Sequence, residues 1–270
     1  MNKIFICMTV VLLLTGCTSE KQPDISERKV LRIGSDATYP PFETVNTATG
    51  EPEGFDIDLI SCICELNGWK PEIIVTPFDG MIPGLNNRKF DVAISSMTIT
   101  PQRMAVVSFS EPYYRAGQIV AVPVGDTYIK SVDDLRGKRV GVQLGTTGEI
   151  MAKKFDGVHV YSYDNIGAAF IDMANGNLDA VLNDFPTTLT YIEQNRAAKT
   201  VGELLSTEHY GIAVRKKDKA LLEKINEALR TMKADGSYEA IYMKWFNTPP
   251  LAEFMGDTVA VGDTTGESSL

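Results

Sequence analysis

The stretch that decides the fold opens on Val30-Leu31-Arg32-Ile33-Gly34 and closes on Phe90-Asp91-Val92-Ala93-Ile94. Val30 to Gly34 reads as a strand. From Gly54 to Asn67, the residues Phe55, Ile57, Leu59, Ile60 and Leu66 give a broad apolar stripe, the mark of a helix with one buried face. Pro71 to Val75 reads as a second strand, Phe78 to Leu85 as a short helix, and Phe90 to Ile94 as a third strand. Strands that alternate with helices predict an α/β unit with a largely parallel sheet.

Working outward from there, the alternation repeats. Gln118 to Val122 is strand-like, and Ser131 looks like the N-cap of a short helix through Leu135. Arg139 to Val142 is a strand, followed by a helix from about Thr147. His159 to Tyr163, the helix Ile166 to Ala174, Ala180 to Leu182 and the helix Asp184 to Asn195 continue the pattern. Tyr210 to Val214 is a late strand, and two amphipathic helices follow over Lys219 to Lys233 and Ser237 to Trp245. After Pro249-Pro250 the periodicity stops. Positions 251–270, rich in Gly, Thr, Asp and Ser, read as a flexible tail, disordered or loosely docked. Two α/β halves with a late return strand predict two lobes and a cleft. Ligands of open α/β sheets collect beyond the carboxyl ends of the strands.

The N-terminus has a separate logic. Met1 to Lys3 is weakly basic, and Ile4 to Leu14 carries no charge but is short for a membrane span. Leu14-Thr15-Gly16-Cys17 resembles the lipobox of a bacterial export signal. That resemblance implies a signal peptide over 1–16, cleavage before Cys17 and acyl chains on the new terminal cysteine. Several buried chains on one residue anchor a protein far better than one. Residues 17–28 then form the lipidated cysteine and a polar tether.

Composition narrows the partners. The chain has 270 residues, 44% of them hydrophobic, and a net charge of −9. That is ample for a core and lacks the basic face a nucleic acid requires. Cys62 and Cys64 sit two apart on a predicted helix, where side chains do not face each other, so a mutual disulfide is not expected. His159 and His209 stand alone in strand-like segments, and neither a Ser-His-Asp set nor metal-ligand spacing is visible. No metal and no cofactor are expected.

Four segments after strands carry candidate chemistry. These are Asp36-Ala37-Thr38-Tyr39-Pro40-Pro41-Phe42, Thr76-Pro77-Phe78-Asp79-Gly80, Ser95-Ser96-Met97-Thr98-Ile99-Thr100-Pro101-Gln102-Arg103 and Gln143-Leu144-Gly145-Thr146-Thr147-Gly148. Thr100 is a natural N-cap with Pro101 at the first helical position, which puts Arg103 on the first turn. An arginine fork beside free N–H groups suits a carboxylate. Ser96, Thr98 and Thr147 add hydroxyl donors, and Asp184 in the other half can accept from an ammonium group.

The first, third and fourth of these strings, with Gly54-Phe55-Asp56-Ile57-Asp58-Leu59, Phe109-Ser110-Glu111-Pro112-Tyr113-Tyr114, Tyr210-Gly211-Ile212-Ala213-Val214-Arg215 and Lys233-Ala234-Asp235-Gly236-Ser237-Tyr238, strongly resemble the polar amino-acid branch of the extracytoplasmic solute-binding proteins of ABC importers. The resemblance runs from about Val30 to Phe246. It implies a hinged clamp with two α/β lobes, one over 29–116 plus 208–250 and the other over 117–207. It places the carboxylate clamp on Arg103, Thr98 and Thr147, and the ammonium site on Ser96, in the segment whose Ser95 and Met97 are also ligand-binding candidates, and on Asp184 in the other half. Tyr39 and Phe78 match rings that sandwich the ligand side chain. Asp36, Asp56 and Gln143 match positions at its far end. Each has a structural reading too: the rings can be core, and Asp56 can serve the first turn of its helix.

Two carboxylates and two rings favour a cation, so arginine or lysine is the first expectation, with glutamine, histidine or another polar amino acid held open because Gln143 suits an amide as well. The mechanism implied is closure through strands near 116–120 and 211–214, with a permease reading the closed form. The protein is expected to act as a monomer, anchored by lipid in the periplasm or at the cell surface. A cyclohexadienyl dehydratase on the same fold is the rival, with Glu149 as its nominal general acid, although a surface helix position suits Glu149 as well. A sensor that reports ligand to a membrane receptor is the other alternative.

Overall fold

The computed structural model describes residues 29–255. The expected signal segment (1–16), the whole of the expected lipidated cysteine and tether (17–28) and positions 256–270 lie outside the described residues.

The chain builds two five-stranded sheets, each with helices packed on it. The first is assembled from β1 (Val30–Ser35), β4 (Lys70–Val75), β5 (Val92–Ala93), β6 (Val107–Phe109) and β14 (Ala213–Arg215), in the order β4-β1-β5-β14-β6. β1 pairs in parallel with β4 and β5, while β14 runs antiparallel to β5 and β6. Between β1 and β4 lie a small hairpin, β2 (Thr44–Val45) with β3 (Pro52–Glu53), and the helix α1 (Phe55–Leu66). α1 buries Phe55, Ile57, Leu59, Ile60, Ile63 and Cys64, and packs on α7 (Lys219–Asp235) and α8 (Ser237–Phe246). Cys62 and Cys64 are both free thiols.

The second sheet has the order β10-β9-β11-β8-β12, from β8 (Gln118–Pro123), β9 (Arg139–Gln143), β10 (His159–Tyr163), β11 (Ala180–Asp184) and β12 (Ala198–Val201). β9, β10 and β11 are parallel; β8 and β12 complete it in antiparallel sense. Helices α4 (Thr147–Ala152), α5 (Ile166–Ala174) and α6 (Phe185–Asn195) pack on it. Ser131 caps the turn before β9 through a full capping box with Asp134.

Two segments cross between the sheets. One is β7 (Tyr114–Ala116) leading through Gly117 into β8. The other is the run 202–207, leading from β12 into β13 (Glu208–Tyr210). β7 and β13 pair antiparallel, so the two crossings lie side by side. A Cβ on Gly117 would stand 2.2 Å from the Ser206 carbonyl oxygen, so this close approach requires glycine.

Three expectations change. The strand read over Tyr210 to Val214 is two strands broken at Gly211-Ile212, one in the crossing ribbon and one in the first sheet. The second crossing is therefore at 202–207, not 211–214. The strand read over Phe90 to Ile94 shortens to Val92–Ala93, the residues in register with both β1 and β14, although Asp91 and Ile94 also donate their N–H groups to Arg32 and Gly34 of β1. The tail is docked at its start: residues 252–254 form a turn that buries Phe254 near His209 and Lys233. Burial of one ring outweighs the polar character of its neighbours.

Rings of Phe42, Phe55, Tyr113, Tyr114, Tyr210, Tyr242 and Phe246 form a contiguous cluster beneath the loop that follows β1. Phe42, fully buried, ties that loop to the core.

Candidate functional site

A narrow cleft opens where the carboxyl ends of the two sheets meet. Asp36, Tyr39, Glu43, Phe78, Ser95, Ser96, Thr98 and Arg103 line it from one side, and Gln143, Thr146, Thr147 and Asp184 from the other.

Arg103 is placed by the start of α3 (Pro101–Val106). Thr100 caps this helix, its Oγ1 accepting from the Arg103 N–H at 3.2 Å. The guanidinium donates from Nη1 to the Thr98 carbonyl (2.8 Å) and from Nη2 across the cleft to the Gly145 carbonyl (3.0 Å). It sits over the Phe78 ring, 5.1 Å from the centroid. A guanidinium has five N–H donors in a planar fork, so several remain for an anion. Burial lowers its pKa, and the negative charges of Asp184 and Glu208 oppose that shift.

Asp184 faces Arg103 from the second sheet. The helix expected from Asp184 begins at Phe185, so Asp184 is the last residue of β11 and makes no capping bond. Its side chain is therefore free for the cleft. Tyr210 Oη and Gln118 Nε2 donate to its two oxygens. Burial, then Glu208, pushes its pKa up to about 7.

The other end of the cleft is acidic. Asp36 Oδ2 accepts from Thr38 Oγ1 (2.8 Å) and, across the cleft, from Gln143 Nε2 (2.7 Å). Burial raises its pKa. Glu43, fully buried, accepts from Ser95 Oγ at 2.8 Å and Ser96 Oγ at 3.2 Å. Burial, then the neighbouring Asp56, raises the Glu43 pKa well above the ordinary range. Tyr39 reaches across the cleft, donating from its hydroxyl to Asn183 Oδ1 at 2.7 Å, beside Asp184.

Two expected residues do not line the cleft. Asp56 is fully buried behind it, its Oδ2 accepting from the Ser96 N–H and the Tyr113 hydroxyl, both at 2.8 Å. Ser96 has φ 49, a left-handed conformation uncommon for serine. Asp56 thus holds a strained loop in place, and burial pushes its pKa up to about 7. Met97 turns into the core with Met81, Leu85 and Phe90.

Glu43 and Thr146 line the cleft without having been singled out. A backbone turn folds Glu43 back onto Tyr39, the Tyr39 N–H donating to the Glu43 carbonyl at 2.6 Å. The Pro40-Pro41 brace before a lone buried acid is the signal that could have pointed to it. Thr146 was legible as the N-cap of α4.

Glu149 is neither on the surface nor on the cleft. It is buried, accepting from the Gly145 N–H (2.8 Å), Lys153 Nζ (2.7 Å) and Ser162 Oγ (2.6 Å). Burial acts to raise its pKa, but these bonds prevail and hold it below the usual range. An ionised, fully engaged carboxylate is a poor general acid. Among the described residues no group of three or more His, Cys, Asp or Glu side chains could hold a metal ion, and no helix is long and apolar enough to cross a membrane.

The sequence profile of the bacterial extracellular solute-binding proteins, family 3, matches residues 31–248. The ABC transporter arginine-binding protein 1 of Escherichia coli is 40% identical over 227 residues, covering 82% of this chain and 92% of the relative. The probable histidine-binding protein of Neisseria gonorrhoeae is 35% identical over 246 residues, covering 87% and 91%. Among solved structures, an ancestral arginine-binding protein bound to arginine superposes with a TM-score of 0.79 at 49% identity, covering 81% of this chain and 99% of that one. With its paired α/β sheets and its cleft between them, the chain belongs to the bacterial extracellular solute-binding proteins of family 3.

Proposed function

We propose that this protein captures a free basic L-amino acid, arginine or lysine, outside the cytoplasm and delivers it to the permease of an ABC importer. One observation carries the reading: a buried guanidinium and a buried carboxylate, Arg103 and Asp184, face each other across a cleft whose far end holds Asp36 and Glu43. The first pair complements the carboxylate and ammonium of an amino acid. The acidic end complements a cationic side chain, and Tyr39 and Phe78 supply ring faces for it. The named relatives, binders of arginine and histidine, agree with this chemistry.

The protein works by closure. Residues 29–116 with 208–250 move as one lobe and 117–207 as the other, about the paired crossings at Gly117 and 202–207. Bonds that span the cleft favour the closed form: Gln143 to Asp36, Arg103 to Gly145, Tyr39 to Asn183, and Tyr191 Oη to the Thr38 carbonyl at 3.3 Å. No bond of the ligand is made or broken. The protein is a monomer, held at the membrane by acyl chains on Cys17.

Calorimetric titration of residues 18–270, freed of ligand by unfolding and refolding, against the twenty amino acids tests the reading. Tight binding of arginine or lysine supports it. Preference for glutamine would shift the side-chain contact to Gln143, and binding of none would refute it.

A further inference from the structure

Glu208 opens β13, in the ribbon where the chain crosses between the sheets, and it is not among the residues that line the cleft. It is nevertheless buried, at 8% exposure. Its Oε2 accepts from Thr98 Oγ1 at 2.7 Å and from Thr147 Oγ1 at 2.8 Å, and its Oε1 accepts from Ser206 Oγ at 2.9 Å. Thr98 belongs to one wall of the cleft and Thr147 to the other. One carboxylate oxygen therefore receives a hydroxyl from each wall.

A threonine hydroxyl carries one proton and two acceptor lone pairs. Once that proton goes to Glu208, the oxygen has only acceptor capacity left for the cleft. A second bond supports this polarity at Thr147: Gln118 Nε2, which can only donate, meets Thr147 Oγ1 at 3.2 Å. Gln118 Nε2 also donates to Asp184. At this end of the cleft Thr98 Oγ1, Thr147 Oγ1 and Asp184 thus form an acceptor wall. A carboxylate set against them would find no proton, whereas an ammonium group brings three donors.

We infer that Glu208, without touching the ligand, fixes the two threonine hydroxyls as acceptors and so makes the protein demand the α-ammonium group of its ligand. This rests on the amino-acid-binding reading above. It assigns Thr98 and Thr147 to the ammonium side and leaves Arg103 to hold the carboxylate. Glu208 is a positioning residue, and its position on the crossing ribbon means that the acceptor wall is complete only when both walls meet it.

The test compares two ligands that differ by that one group: L-arginine and 5-guanidinopentanoic acid, which keeps the carboxylate and guanidinium but lacks the amine. Both are titrated into residues 18–270 of the wild type and of Glu208→Leu. Leucine fills much of the volume but accepts no hydrogen bond, so the two threonine protons lose their partner and are free to turn to the cleft. The wild type is expected to prefer arginine strongly. In Glu208→Leu that preference, as a ratio of dissociation constants, should fall by about tenfold or more, the scale of one hydrogen bond to a charged group. If the variant does not fold, Thr147→Val and Thr147→Ser give the same reading: valine should lower the ratio and serine should keep it. An equal loss for both ligands in either series would show a merely structural role and overturn the inference. So would a wild type that binds the amine-free compound as tightly as arginine. A wild type that binds no amino acid would overturn the functional reading itself.

Discussion

Replacing Asp36 with asparagine should convert a charge-selective cleft into a weakly selective one. Asp36 is 3% exposed and accepts from Thr38 and from Gln143, which reaches it from the opposite wall. Asparagine has the same shape, and its Oδ1 can still accept from Thr38, so the loop should keep its course. What is lost is the negative charge that meets a cationic side chain. A hydrogen bond to a charged partner is worth about 1.5–3 kcal/mol. At about 1.4 kcal/mol per factor of ten, arginine should bind about 10- to 150-fold more weakly. The lower half of that range is expected, because Glu43 remains nearby as a second acid. Burial also raises the Asp36 pKa, so the lone carboxylate is uncomfortable without a ligand; Asp36→Asn should leave the ligand-free protein as stable as before or slightly more so. The assay is titration calorimetry at pH 8 with L-arginine and L-glutamine, alongside thermal melts. Glutamine, which brings no charge, should change by less than about threefold on the same scale. Unchanged arginine affinity, or equal losses for both ligands, would refute the role of Asp36.

Arg103→Ala should cost every amino acid about 2–5 kcal/mol, because one partner of a buried charge pair is removed, and titration should find no tight binding of any of the twenty. Asp56 and Asp184 both have folded pKa values pushed up to about 7, above the unfolded value near 4. Their contribution to stability is therefore full below about pH 4 and lost as pH rises through 7. Melts of the ligand-free protein should accordingly show a falling midpoint between pH 5 and 8, shallower in Asp184→Asn; a rising midpoint would contradict this. Arginine binding, which needs Asp184 ionised, should instead tighten over the same range, by at most about tenfold per pH unit below 7. Cys17→Ser should move the protein from the membrane fraction to the soluble extracytoplasmic fraction on cell fractionation, and an unchanged distribution would argue against the lipid anchor.

The alternation of strand and helix was legible because burial imposes a period on each element. α1, β10 and α5 lie almost where their apolar patterns place them. Helix starts were legible for a similar local reason: Thr100 and Ser131 each cap through their own side chain, an interaction settled within a few residues, and Thr146 does the same for the helix expected from about Thr147. Arg103 could be found this way, since a Thr-Pro start puts it on the first turn whatever the rest of the chain does. The post-strand segments pointed to Asp36, Tyr39 and Phe78, and the place of Asp184 after a strand of the second half pointed to it; all four line the cleft.

Contacts between residues far apart in the chain lay beyond such reading. Whether Asp56 meets the ligand or props the loop at Ser96 depends on Tyr113 and on a left-handed residue forty positions away. Glu149 looked exposed until Lys153, Ser162 and the Gly145 N–H closed around it. Gly148 is likewise crowded by distant residues: a Cβ there would stand 2.8 Å from Gln118 Oε1 and 3.1 Å from the Leu182 carbonyl. The sequence by itself determined the two α/β halves, the cleft between them and most of its lining, because periodicity, capping and motif spacing are properties of short segments. Tertiary structure alone decided which acids face the cleft and which support it, and that Glu208 takes the protons of Thr98 and Thr147, because a hydrogen bond is set by where its partner lies in space, and these partners lie 110 and 61 positions from Glu208 in the chain.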